Sequence, residues 1–416
     1  MMKRMITSKY IRLFVSALMI SPCVAAQGVS AQFKGALDVS LTNTNDMPAW
    51  HQQGWGVVRF SDDHQRLNIS RFALSTRLDL SSAWSAHAVA QYVPDPNDKI
   101  GLTEAYVQYQ PLAQGYQLSA RFGGFYPRMS LENPALGWSS PYTYHYSGLN
   151  AWLGEEVRAF GAEFELKRAA RRFRSKHDLS VIGALFKGND PAGTLVAWRG
   201  FVPHDRQSVF NERIGFAPLK SLTWPQLRRQ GQYVEPFTEV DGRFGYYLGA
   251  HWSYLKRHSV RFYWYDNNGD PAAINYVTKQ YAWDTKFWSL AWRTKFNTQT
   301  QLIMQAMLGN TAMGPTRGVD NDFYSWFAMV SHTFDDYRFS LRAEQSKVID
   351  KDAWQFDENA SFSKGLTMNI QKSLSDKWQL GAELQLIDYE ADARLAVGRA
   401  LGLDEQVWRI TAQYKF

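Results

Sequence analysis

The chain has 416 residues, with 46 Lys and Arg against 39 Asp and Glu, 15% aromatic residues and a single cysteine. A mean hydropathy of −0.39, with no stretch near the ~18 apolar residues that a membrane helix needs, excludes a helical membrane protein. Four of the basic residues lie in the first 31, so the remainder carries 42 basic and 39 acidic residues, a net +3 that gives no basis for nucleic-acid binding.

Residues 1–31 read as a secretory signal. Lys3, Arg4, Lys9 and Arg12 form a basic segment, Leu13 to Ile20 an apolar one, and cleavage is expected near Ala26 or Ala31. Cys23 falls inside this leader behind Pro22, where a lipoprotein signal has Gly or Ala. The exported chain therefore holds no cysteine for a disulfide or a metal site. Residues 32–416 are expected to form one domain.

From Phe33 onward, apolar and polar residues alternate with the period-two rhythm of strands. The segments run Phe33–Thr42, Leu67–Leu80, Trp84–Val93, Leu102–Gln110 and Tyr116–Tyr126, then a long connection, 127–155. Alternation resumes at Glu156–Lys167 and His177–Lys187, ahead of the longest gap, 188–241, which is rich in Pro and reads as an extracellular loop. Arg243–Leu255, His258–Asp266, Trp283–Phe296, Thr300–Gly309, Phe323–Phe334, Tyr337–Val348, Ala360–Leu374 and Lys377–Tyr389 follow. The last segment is Gln406–Phe416, with Trp408, Ile410, Ala412, Tyr414 and Phe416 on one face.

That makes sixteen strands separated alternately by long and short gaps. The even count, the loop rhythm and aromatics at both ends of the apolar faces predict an all-β fold, a 16-stranded antiparallel transmembrane β-barrel of the outer-membrane porin type. The terminal Phe416 resembles the C-terminal signature that the barrel-assembly machinery of Gram-negative outer membranes reads. Lipid, lipopolysaccharide and small hydrophilic solutes are the expected partners.

Three pieces carry a closer resemblance: L-T-E-A-Y-V-Q-Y-Q-P (102–111), F-G-G-F-Y-P-R-M-S-L-E (122–132) and W-S-S-P-Y (138–142). They are similar to the phosphate-selective porin O and P family, over about sixty residues of the chain. The resemblance implies a passive pore whose third loop, here 127–155, folds inward, and many such porins trimerise. Between Pro127 and Glu155 there is one basic residue, Arg128, so phosphate selectivity does not follow.

Selectivity in a wide pore comes from rings of charge and from its diameter. On the alternating register the inward basic set is Arg71, Arg77, Arg121, Arg243, Arg261, Arg293, Lys295, Arg338, Arg342, Arg409 and Lys415. The inward acidic set is Asp79, Glu104, Glu163, Glu165, Glu344 and Glu383. The excess predicts a mild anion preference; the competing reading is that these charges pair across strands. The constriction loop offers Arg128, Glu132, Trp138, Tyr142, Tyr144, His145, Tyr146 and Trp152, either as a slide for solutes or as packing against the wall.

No H-E-x-x-H, G-x-S-x-G or P-loop spacing occurs, and no cofactor is implied. The expected function is passive diffusion; an outer-membrane barrel hydrolase and a non-conducting structural or adhesion barrel are the rivals. Asp266 to Asp270 opens like a calcium loop, but Val277 stands where the closing Glu belongs, so it reads as a surface turn.

Overall fold

The computed structural model describes residues 29–44, 47–59, 66–94, 99–223, 227–354 and 357–416. The expected leader falls mainly on 1–28, outside the described residues.

The wall strands, numbered in chain order, are β1 Ser30–Asn43, β2 Arg66–Asp79, β3 Trp84–Val93, β4 Lys99–Tyr109, β5 Gln117–Phe125, β6 Ala159–Arg168, β7 His177–Lys187 and β8 Gly245–Tyr254. They continue as β9 His258–Asp266, β10 Asp284–Lys295, β11 Thr300–Met313, β12 Val319–Phe334, β13 Tyr337–Asp350, β14 Ser361–Ser373, β15 Trp378–Ala391 and β16 Gly402–Lys415. Each pairs antiparallel with its neighbours, and β16 pairs with β1, so the sheet closes into a sixteen-stranded barrel. Closure removes the edge that an open sheet would expose.

Alternation decides which face is which. Along β16, Trp408 and Ile410 are exposed on the outside, whereas Val407, Arg409 and Thr411 are buried inside. The outer face carries exposed Leu, Ile, Val, Phe and Trp on strand after strand, the band a barrel presents to acyl chains. Two bulges reset the phase. Ser70 in β2 and Thr103 in β4 are each skipped in the pairing, so Ile69 and Phe72 both face out, as do Leu102 and Ala105.

One end of the barrel has short turns. Leu255 and Lys256 both take positive φ, 49° and 56°, in the turn between β8 and β9, and Asp335 does so between β12 and β13. At the other end lie the long connections. Two matter here: L3, residues 126–158, with a helix over Gly148–Glu156, and L4, residues 188–244, with a short helix over Thr194–Trp198.

Candidate functional site

Both L3 and L4 fold into the lumen, and the wall's inward charges hold them there. L3 leaves β5 at Tyr126, whose amide donates to Glu104 at 3.1 Å. Arg261 donates to the carbonyls of Arg128 and Ser130, Arg71 to Leu136 and Arg338 to Pro141. Glu383 accepts from the amides of Tyr144 and His145 and from the His145 ring. Arg342, fully buried, donates to Glu132 at 2.7 Å, to Glu344 at 2.9 Å, and to the carbonyls of His145 and Tyr146. Glu344 accepts from the Gly148 amide. A planar guanidinium with five donors suits this crossing point better than an ammonium would.

L4 lies over L3 and crosses the barrel. Its start is seated by Thr285, which donates to the Ala192 carbonyl at 2.6 Å. Gly193, at φ 107°, leaves no room for a side chain: an added Cβ would sit 2.2 Å from the Thr311 hydroxyl. Farther on, Ser363 donates to the Phe201 carbonyl and Tyr389 to that of Arg199. Asp205 bridges Arg409 at 2.6 Å and Arg59 at 2.8 Å. Gln207 bonds Gln91, Tyr126 and Tyr146. The Phe210 amide then reaches the Leu102 carbonyl on β4.

The two loops are joined by the Glu155–Glu156 pair at the end of the L3 helix. Burial opposes ionisation of Glu155, but Arg199, His204 and Arg206 outweigh it and hold the carboxyl well below its ordinary range. Burial holds His204 below the usual imidazole range. Glu156 has no cation within ion-pairing distance among the described residues. It accepts from the Trp152 indole and from the amides of Gly193 and Leu195, and burial raises it to about 7. Burial likewise raises two other carboxyls that touch L4 to about 7, Asp190 at its base and Asp357 beneath Trp198.

The lumen is therefore two-sided. From β7 to β12 the inward face carries an apolar patch, with Ile182, Phe186, Tyr247, Tyr263, Phe287, Ile303, Met307, Phe323 and Phe327 packed on Leu149, Trp152, Leu195 and Trp198 of the loops. From β13 through β16 to β1 it is mostly polar, with Arg342, Thr367, Asn369, Gln385, Arg409, Thr411, Ser40 and Thr42, interrupted by a buried patch of Ile387, Tyr389 and Val407. Along this seam the side-chain hydroxyls of Thr42 and Tyr144 and the carbonyl oxygens of Asn369 and Gln385 are buried without a hydrogen-bond partner among the described residues. Such groups need water or a solute.

The predicted site residues sort accordingly. Arg71, Arg121, Arg342 and Arg409 point inward and are ion-paired, to Asp38, Glu163, Glu132 with Glu344, and Asp205. Arg77 pairs with Asp79 at the short-turn end of β2, and Arg128 with Glu165. Arg261, Arg293, Lys295, Arg338 and Lys415 have no carboxylate within ion-pairing distance among the described residues. Arg243 is a correction: it precedes β8 in the end of L4, half exposed and paired with Asp270, because the strand begins only at Gly245. Within the long 188–241 connection, most of 189–222 is buried in the lumen. Of the L3 aromatics, Trp138 stacks on Tyr126 at 4.6 Å, Trp152 packs against Phe201, Phe287 and Phe323, and Tyr146 accepts from Gln207. Tyr142 and Tyr144 lie beneath the Arg338 and Arg409 guanidiniums.

Asp205, Gln207 and the L4 helix were missed. The one signal was L-V-A-W followed by Phe201 and Val202, an apolar run that a solvated loop does not need. The Asp266–Asp270 stretch is a buried anchor at its centre, not a surface turn: Asn267 donates to the carbonyls of Asn189, Asp190 and Trp283. Beside it, Asp190, Glu239 and Asp241 gather their oxygens, which accept from backbone amides such as those of Val240, Gly188 and Asp270.

A closed sixteen-stranded barrel with an inward third loop defines the porin-type class of outer-membrane barrels. Among solved structures the chain is similar to an outer membrane protein of Vibrio cholerae, OmpT with loop L8 deleted, at 9% identity and TM-score 0.54, over 94% of this chain and all of that one. It is also similar to OprB of Pseudomonas putida, at 10% identity and TM-score 0.50 over 94% of each chain. OmpF of Salmonella typhi, in a complex with daunomycin, matches at 9% identity and TM-score 0.50, over 94% of this chain and 98% of that one. The likeness at such identity is one of fold. No family model and no curated protein matches the sequence.

Proposed function

We propose that this chain is an outer-membrane channel of the porin type, passing small hydrophilic solutes by passive diffusion along the polar seam of β14–β16 and β1. The observation that carries this reading is the seam itself: a mostly polar inward face of hydroxyl, amide and ion-paired side chains beside L3, opposite an apolar half that fixes the loops. Export by a cleaved leader, insertion through recognition of Phe416, contact with lipopolysaccharide and assembly as a homotrimer belong to the same reading. The likeness to phosphate-selective porins rests on the three quoted segments alone.

A mild anion preference follows from the short-turn end of the lumen, taken as the periplasmic side. Two cavities there, below L3, are lined by nine Lys and Arg (Lys34, Arg71, Arg128, Lys167, Lys256, Arg261, Arg293, Arg338, Lys415) and four acidic residues (Glu165, Asp178, Asp335, Asp336). Field focusing in a low-dielectric vestibule of one sign concentrates counter-ions. A KCl gradient across a planar bilayer tests this: a reversal potential on the chloride side supports it, and a cation-selective potential overturns the anion preference while keeping the pore.

The burial of L4 favours a second reading, a structural barrel that does not conduct. Folded protein that carries no current, with L4 present or excised, would establish that reading.

A further inference from the structure

The larger of the two cavities below L3 has a built interior. It encloses about 500 Å³ between L3 and the wall from β12 through β16 to β1 and β2, within the range of small-molecule sites. Four cations line it: Arg71 is paired with Asp38, whereas Lys34, Arg338 and Lys415 have no carboxylate within ion-pairing distance among the described residues. Asp335 and Asp336, on the turn between β12 and β13, also line it.

Beside the cations stands a row of amides. Lys415 donates to the Gln379 carbonyl at 3.4 Å, and Gln379 donates to the Gln371 carbonyl at 2.9 Å. The Gln371 amino group makes no further bond to the described protein, so it is a donor for a guest. Tyr144 of L3 also lines the cavity. Its hydroxyl is buried and has no hydrogen-bond partner among the described residues. Gly381 makes the space for it, since a Cβ there would come within 2.4 Å of that oxygen. The neighbouring cavity, of about 370 Å³, has five basic residues and no Asn or Gln in its lining. It offers charge without directional amide contacts.

We propose that the larger cavity is a binding subsite for a singly charged polyhydroxylated solute, a sugar acid, with Arg338 and Lys415 taking the carboxylate and the Gln371–Gln379 row taking hydroxyls. This deepens the channel reading by naming a solute class. An arginine holds a carboxylate in plane, and amide side chains left unpaired disfavour a guest that lacks hydroxyls.

Titration calorimetry on the folded full chain in detergent, with D-glucuronate, D-glucose and acetate as probes, tests it independently of conduction. Glucuronate is expected to bind at least tenfold more tightly than either comparator. Arg338→Gln should remove most of that advantage, by about tenfold. Because Arg338 also holds Pro141, Lys415→Gln is the second variant and should weaken glucuronate without altering L3. Lys256→Gln, in the other cavity, should leave the preference intact. Equal affinity for acetate and glucuronate, or full affinity in both cavity variants, overturns the subsite. Conductance in KCl without a glucuronate preference sinks the subsite and keeps the channel; glucuronate preference without conductance sinks the channel and keeps the subsite.

Discussion

Replacing Arg342 with methionine removes the side chain that holds the middle of L3. Its guanidinium donates to two carboxylates, two carbonyls and the hydroxyls of Thr143 and Thr367, all in a fully buried position. Glu132 keeps Ser147 and Asn150, and Glu344 keeps the Gly148 amide, so both carboxylates lose their cation but not every donor. Breaking a buried pair of this kind costs about 3–5 kcal/mol, here set against the docking of L3 and not against the closed wall. About 3 kcal/mol shifts the docking equilibrium by roughly a hundredfold. The readout is local: the amides of residues 144–148 all donate to groups in the lumen, namely Glu383, Glu132, Glu344 and the His204 carbonyl. Hydrogen exchange at these amides should accelerate by roughly a hundredfold in Arg342→Met, and by less in Arg342→Lys, which keeps the charge but not the fork. Unchanged exchange at 144–148 in a folded Arg342→Met barrel would refute the clamp.

Acidity should tighten the docking of L4. Glu156, Asp190 and Asp357 are each raised to about 7 when buried against L4, so the docked state binds protons that a solvated carboxyl would release. Docking is then strongest near pH 4–5 and weakens as pH rises through about 7; for Glu156 alone the shift is worth about 3 kcal/mol. His204, held neutral by burial, opposes this below about pH 6.5. Proteolysis within 188–241 should therefore be faster at pH 8 than at pH 6.5, and the reverse order would contradict the assignment. Gly200→Ala adds a Cβ 2.3 Å from the Ser361 hydroxyl at φ 77°; it should cost about 1–3 kcal/mol of L4 docking, seen as faster cleavage there with the barrel's melting temperature unchanged. Gly35 lies under the Phe416 ring, where a Cβ would be 2.0 Å from the ring carbon. Gly35→Leu should displace Phe416 and lower the yield of heat-modifiable folded barrel in vesicles.

The wall was legible because its signal is local. Period two sets the face of each residue, and all sixteen strands lie within a few residues of where alternation places them. The bulges at Ser70 and Thr103 were not, since one extra residue has no composition of its own and appears only when the partner strand is paired. The inward direction of Arg342 and Glu383 could be read, but not what they bind. Their partners lie about 200 residues away in sequence, on loop backbone that carries no periodicity. L4 escaped for a related reason. Proline and polar residues mark it as irregular, and irregular chain is usually solvated; here wall side chains such as Ser363, Thr285 and Tyr389 satisfy its carbonyls instead. Arg243 was misplaced by extending alternation two residues beyond a strand end.

The most direct measurement is the single-channel current of the purified barrel in a planar bilayer, with and without residues 191–236. The ends of that excision already meet, as the Asp190 amide donates to the Thr238 carbonyl. The account predicts stepwise current from the intact chain and larger steps once L4 is removed and L3 alone narrows the lumen. Heat-modifiable, folded barrels that carry no current in either form would contradict it.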